Sequence, residues 1–118
     1  QRLARKLCPT CKRPYDELPP IEKLTSIGFP PEECKNLNIY KAIGCPKCNG
    51  GYKGRFAFLE ALEIDDEMRK MIIKKSPTMD IKEYAINKRQ MIKLRRCGLL
   101  NVMRGKTTIE EVLRMTEL

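Results

Sequence analysis

Apolar positions along the chain change their period more than once. Residues 1–7 place Leu3, Ala4 and Leu7 at i, i+1 and i+4, with Arg2, Arg5 and Lys6 on the other side, which predicts the end of a helix. Pro14, Pro19 and Pro20 break the next stretch. Pro20 can occupy the first turn of a short helix through Ser26 that aligns Ile21, Leu24 and Ile27 and stops at Gly28. Pro30 and Pro31 start a further turn, and residues 38–43 alternate as a strand does. After the glycine-rich run at 50–55, residues 56–64 read as a strand apolar on both faces. Phe56, Phe58 and Leu62 form one row, and Ala57, Leu59 and Ala61 the other.

From Asp65 the period is helical. Asp65 or Asp66 caps a helix with Met68, Met71 and Ile72 inward, and Ser76-Pro77 ends it. Asp80 and Glu83 resemble a capping box opening a second helix on Ile81, Tyr84 and Ala85. A third covers about residues 92–104 with Leu94, Leu99, Val102 and Met103 inward, and Gly105 stops it. Thr107 and Glu110 form another capping box, before a last helix with Ile109, Val112, Leu113 and Thr116. The methionines on these stripes are core filling.

Cysteine spacing changes the picture of the first half. Cys8-Pro9-Thr10-Cys11 and Cys45-Pro46-Lys47-Cys48 are two C-x-x-C turns separated by 33 residues. Four thiolates make a closed tetrahedral site for one structural Zn²⁺. Redox use of such a pair calls for a thioredoxin-like βαβ setting, which neither pair has. Disulfides remain open on spacing alone, but no secretory signal is visible. Arg5, Lys6, Lys12, Arg13 and Lys47 lie close enough in sequence to favour thiolates. Cys34 and Cys97 read as a loop thiol and a half-buried helix residue. The expected class is therefore α+β: a four-cysteine zinc-knuckle subdomain followed by a strand and a small helical bundle. Residues 1–55 form the zinc-binding subdomain with its flanking helix and Gly-rich segment. Residues 56–118 form the strand and the C-terminal helical subdomain.

The charge of +9 from 24 basic and 15 acidic residues favours anionic partners without choosing among them. Residues 1–55 hold 11 bases against 5 acids. Residues 88–106 hold seven bases (Lys88, Arg89, Lys93, Arg95, Arg96, Arg104, Lys106) and no acid, either an anion-binding surface or a solvated helical face. No apolar run is long enough to span a membrane, and six cysteines without a signal peptide point to a reducing cytoplasm. The 118 residues contain no histidine and no G-x-x-x-x-G-K-[ST] loop, so this segment alone is not expected to be an enzyme. A start at Gln1 rather than Met points to a piece of a longer protein.

The ordered set is more specific than any one motif. It comprises Gln1-Arg2-Leu3, C-P-T-C, C-P-K-C-N-G, G-Y-K-G-R, a strand ending in Glu60-Ala61-Leu62, then 91–95 with Gly98 and 105–114 at the tail. It resembles the C-terminal part of the type II secretion and type IV pilus assembly ATPases. The resemblance implies a homo-hexameric ATPase using ATP and Mg²⁺, cytoplasmic and peripheral to the bacterial inner membrane. Its partners would be a membrane platform protein and other cytoplasmic parts of the secretion or pilus machinery, with no specific nucleic acid. It also implies zinc ligation by Cys8, Cys11, Cys45 and Cys48, and a nucleotide-phosphate contact from Arg55, with Arg2 a second candidate. The ordinary alternative for Arg55 is an ion pair with Glu60 or Glu63. A zinc-ribbon module that binds nucleic acid is the competing function, although Tyr15, Tyr40 and Tyr52 do not form an obvious stacking platform.

Overall fold

Arg2–Leu7 is a strand, not a helix end. In the computed structural model, which describes residues 1–89 and 91–116 with only the backbone of Arg89, β1 (Arg2–Leu7) pairs antiparallel with β4 (Tyr52–Phe58). The register sets Arg2 against Phe58, Ala4 against Phe56, Arg5 against Arg55 and Leu7 against Tyr52, with an irregularity between Arg5 and Leu7. The ladder advances two residues on β1, from Arg5 to Leu7, against three on β4, from Arg55 to Tyr52, so the extra residue is on β4. Ala4 and Leu7 lie on opposite faces of β1 and are both buried, and their spacing of three imitates a helical stripe. Leu3, counted in that stripe, is 50% exposed.

The second strand also differs from expectation: it starts at Tyr52 rather than residue 56 and stops at Phe58. The glycine-rich run is thus partly strand. Gly51, at φ 97°, sits where an added Cβ would lie 2.6 Å from the Ala42 side chain and 2.8 Å from the Ile43 nitrogen. Only glycine lets the two backbones come that close.

Between the cysteine pairs lie β2 (Arg13–Pro14), α1 (Ile21–Ile27), a 3₁₀ turn at Cys34–Asn36 and β3 (Tyr40–Lys41). The strand expected at 38–43 shrinks to Tyr40–Lys41, paired with Arg13–Pro14, and the Tyr15 N–H adds one bond beyond it to the Ile39 carbonyl at 3.1 Å. Leu24, Ile27, Phe29, Cys34, Leu37 and Ile39 of this segment are buried with Leu99, Val102, Ile109 and Val112. The last four come from α4 (Leu94–Met103) and α5 (Ile109–Met115), so one core joins residues from both sides of position 55. Cys34, read as a loop thiol, opens the 3₁₀ turn and is buried in that core.

Chain termini of α4 and α5 follow simple rules. Glu60 accepts from the Leu94 N–H at the start of α4. The N-cap of α5 is Thr108, whose hydroxyl accepts from the Glu111 N–H, so the expected box at Thr107 and Glu110 is displaced by one residue. Two overlapping T-x-x-E readings exist in the sequence, and packing selects the second.

The helices α2 (Asp66–Ile73) and α3 (Thr78–Arg89) pack on each other as a hairpin. Asp65 caps α2 by accepting from the Met68 N–H and also accepts from the Tyr84 hydroxyl on α3. α3 begins at Thr78, directly after Pro77 and two residues before the expected start. Met68 and Ala85 are buried here, while Ile73 and Met79 are 80% and 68% exposed. The molecule is extended, 55 Å along its longest axis.

Candidate metal centre

The β1–β4 ribbon brings the two C-x-x-C turns together. Cys8 follows β1 directly, and its N–H donates to the Gly51 carbonyl at 2.9 Å, while Lys12 N–H closes the turn onto the Cys8 carbonyl. The second turn closes from Cys48 N–H to the Cys45 carbonyl, and Asn49 and Tyr52 exchange backbone bonds on the way into β4. Pairing of Leu7 with Tyr52 therefore fixes both turns side by side.

The four Sγ atoms all lie within 4.8 Å of one another. Cys8 and Cys45 sulfurs are 3.8 Å apart, Cys11 and Cys48 3.7 Å, and Cys45 and Cys48 3.5 Å. Thiolates at about 2.3 Å from one tetrahedral Zn²⁺ stand about 3.8 Å from each other, so the donor set fits a single metal ion. The separations are too long for disulfides, and all six cysteines are free. Backbone N–H groups of Gly44 and Cys45 point at the Cys11 and Cys48 sulfurs at 3.4 and 3.3 Å, as donors to thiolates would.

Electrostatics reinforce this. Burial pushes the Cys8 thiol up, but N–H groups of Cys11 and Thr10 and the neighbouring sulfurs outweigh it and leave it at about 6. At Cys45 the Lys47 N–H favours the thiolate, yet burial and the sulfurs of Cys48, Cys8 and Cys11 win and push it up to about 11. Four crowded sulfurs cannot all ionise without a cation among them; a divalent metal removes that conflict. The flanking basic side chains do not supply it by themselves. Arg5 is bound to Glu111, and Lys12 donates to the Gly105 carbonyl at 2.9 Å with its ammonium 4.8 Å from the Tyr40 ring centre.

The two candidate phosphate contacts do not come together. Arg55 is exposed on β4, opposite Arg5, and has no ion pair among the described residues. Glu60, one of its expected partners, caps α4 instead. Arg2 shares the ribbon face of Ala4, the face opposite to that of Arg5 and Arg55, and borders a cavity of about 420 Å³ with Leu94, Arg114 and Thr116. Of the basic run at 88–106, Arg95 donates to the Ile27 and Thr116 carbonyls and Arg96 forks onto Glu33. These two hold the fold together rather than forming an open surface; the Arg89 side chain lies outside the described residues.

Glu111 was not singled out by motif reading. It is 1% exposed and the one buried charged side chain among the described residues. Its oxygens accept from Arg5 N–H at 2.9 Å, from the Arg5 guanidinium at 2.7 and 3.0 Å, and from Arg114. Burial raises its carboxyl, but the bonds from Arg5 and Arg114 prevail and hold it at about 2. The displaced T-x-x-E pattern was the only sequence signal for it.

The sequence that builds this four-cysteine cluster at the mouth of a two-stranded ribbon matches a known family over most of its length. The model of the type II/IV secretion system proteins covers residues 1–114, and the chain belongs to that family. It is 41% identical over 98% of its length to the type IV pilus assembly ATPase PilB of Thermus thermophilus, and 38% identical over 99% to PilB of Pseudomonas aeruginosa. The type II secretion system ATPase E of Vibrio cholerae is 36% identical over 99%. The chain spans 13%, 20% and 22% of those three proteins. Among the described residues no helix is long and apolar enough to cross a membrane.

Proposed function

We propose that these residues are the zinc-binding and helical region of a motor ATPase for type II secretion or type IV pilus assembly, and that Zn²⁺ held by Cys8, Cys11, Cys45 and Cys48 is structural. The observation that carries the metal assignment is the clustering of the four sulfurs, all within 4.8 Å of one another with three of the separations at 3.5 to 3.8 Å, which suits one tetrahedral ion. Four protein ligands leave no position for substrate, so the metal supplies rigidity and not catalysis. In this reading the parent protein works as a hexamer in the cytoplasm against an inner-membrane platform protein. Arg55 reaches the phosphates of ATP-Mg²⁺ bound by the parent's ATPase core. Its guanidinium stays charged and can fork onto phosphate oxygens, and its exposure without an ion pair leaves it available.

Metal analysis of protein purified without chelator should give about one zinc per chain. The C8S/C45S variant should hold none; no zinc in the parent would end the metal assignment. In the full-length protein, Arg55→Ala should lower ATP turnover at least about tenfold, a floor well below the roughly 10³–10⁵-fold that an arginine finger supplies. Unchanged turnover would remove the phosphate role.

A further inference from the structure

Arg5 and Arg55 stand directly opposite in the ladder, on the same ribbon face. Like charges at such a position repel, with Cβ atoms only about 5 Å apart. The structure treats the two very differently. Arg5 is drawn to the buried Glu111 carboxylate at 2.7 Å and lies over the Tyr52 ring, 4.1 Å from its centre. The Tyr52 hydroxyl is in turn held by Thr108 at 2.9 Å, and the Thr107 hydroxyl fixes the Arg5 carbonyl at 2.9 Å. Arg55 has none of these restraints.

From this asymmetry we infer that Glu111 is a positioning residue that ties Arg5 to α5 and over the Tyr52 ring, so that Arg55 is the guanidinium of the pair left unpaired for an anionic ligand. The inference rests on the phosphate role of Arg55 given above. Its physical content is selection between two equivalent cations. An ion-paired Arg5 is neutralised and turned toward α5, whereas a released Arg5 would either displace Arg55 or take the phosphate itself in an unproductive place. Glu111 is suited to the task because Arg114 and the Arg5 N–H hold its carboxylate fixed and ionised.

The test is steady-state ATP hydrolysis by the full-length protein with four variants. Glu111→Gln should lower kcat about tenfold without raising KM for ATP, because a cation is added rather than lost. Adding Arg5→Gln to it should return kcat to within about twofold of the parent, since the competing charge is gone. A purely structural Glu111 would give the opposite pattern, with the double variant no better than the single. An undiminished kcat in Glu111→Gln, or no recovery in the double variant, overturns the inference. Should Glu111→Gln fail to fold, Arg5→Gln alone decides. It should leave KM within about twofold, and a tenfold rise would make Arg5 itself the phosphate ligand. Arg55→Ala separates the two levels. If it alone is silent, the phosphate reading falls and takes this inference with it; if it is damaging while the other variants miss the pattern, only the inference falls.

Discussion

The cysteine-bearing half of the molecule and the α2–α3 hairpin reach order by different routes. In the first, side chains far apart in sequence share one core: Phe29 and Ile39 from between the cysteine pairs are buried with Leu99 and Val112. Such contacts close long loops, and the proposed metal at the loop's base would offset much of that entropy. The hairpin relies on neighbours in sequence. The Asp65 cap, the Tyr84 hydroxyl bond to Asp65 and the buried Met68 and Ala85 help hold it, and Ile73 and Met79 face outward. The difference teaches where stability should be concentrated: in the half with long-range closure, with the hairpin as a less cooperative appendage.

Metal removal should make the largest difference between the two. Structural zinc is worth on the order of 10 kcal/mol in small modules, so stripping it should destabilise the first half by several kcal/mol. Hydrogen exchange after treatment with a strong chelator should show protection lost across residues 8–48 and on the facing sides of α4 and α5. Exchange in α2 and α3 should change least. Equal loss in the hairpin would make the molecule one cooperative unit and dissolve the comparison.

Next in size is the Glu111 carboxylate, which ties α5 to β1. Its folded value of about 2 lies below the ordinary 4.5. A depressed acid stabilises above the unfolded value and loses that contribution as pH falls through the folded one. The full contribution is about 3 kcal/mol above pH 5. Denaturant titrations of the parent and Glu111→Gln should therefore show a constant, maximal gap above about pH 5.5, and the gap should narrow by about 2 kcal/mol by pH 3. Acid release of metal affects both proteins and cancels in the difference. A gap that does not respond to pH would mean that the buried carboxyl is not ionised by its two arginines.

The helical half was legible in sequence because its signals are local. Asp65 as a cap, Gly105 as a stop and the inward Leu99 and Val102 were all readable from spacing and side-chain chemistry. So was the cysteine cluster, whose ligand spacing is itself the geometric requirement. What failed depended on partners elsewhere in the chain. β1 looked helical because Ala4 and Leu7, on opposite faces of the strand, are both covered by other parts of the chain. Glu111 looked like one of many surface acids because its burial follows from β1 docking beside α5, and nothing local encodes that. Lys12 and Arg5 seemed to serve the thiolates by proximity in sequence, yet their side chains are taken by Gly105 and Glu111.

A smaller effect should come from Gly98, where α4 meets α5. An added Cβ would lie 2.8 and 3.0 Å from the two methyl carbons of Val112. Alanine gains about 1 kcal/mol over glycine inside a helix, while overpacking a core contact costs about 1–3 kcal/mol. Val112 is fully buried and branched, so it has little room to give. Gly98→Ala should therefore destabilise by about 1 kcal/mol, read as a lower denaturation midpoint with an unchanged slope. A stabilised variant would show that the α4–α5 contact is looser than its distances imply.

The smallest effect should be found at the hairpin, where the comparison is easiest to break. Ile73 is the last residue of α2, 80% exposed, and Asp there removes almost no buried area. A carboxylate at a helix C-terminus is disfavoured by the helix dipole by about 0.3–1 kcal/mol, while the adjacent Lys74 and Lys75 offset part of that. Ile73→Asp should change global stability by no more than about 0.5 kcal/mol, as surface substitutions usually do. Chemical denaturation of the full-length protein beside the variant measures it. A loss of 2 kcal/mol or more would place Ile73 in a contact made by the longer protein, and the hairpin would then owe its order to a surface outside these residues rather than to its own cap and the Met68–Ala85 packing.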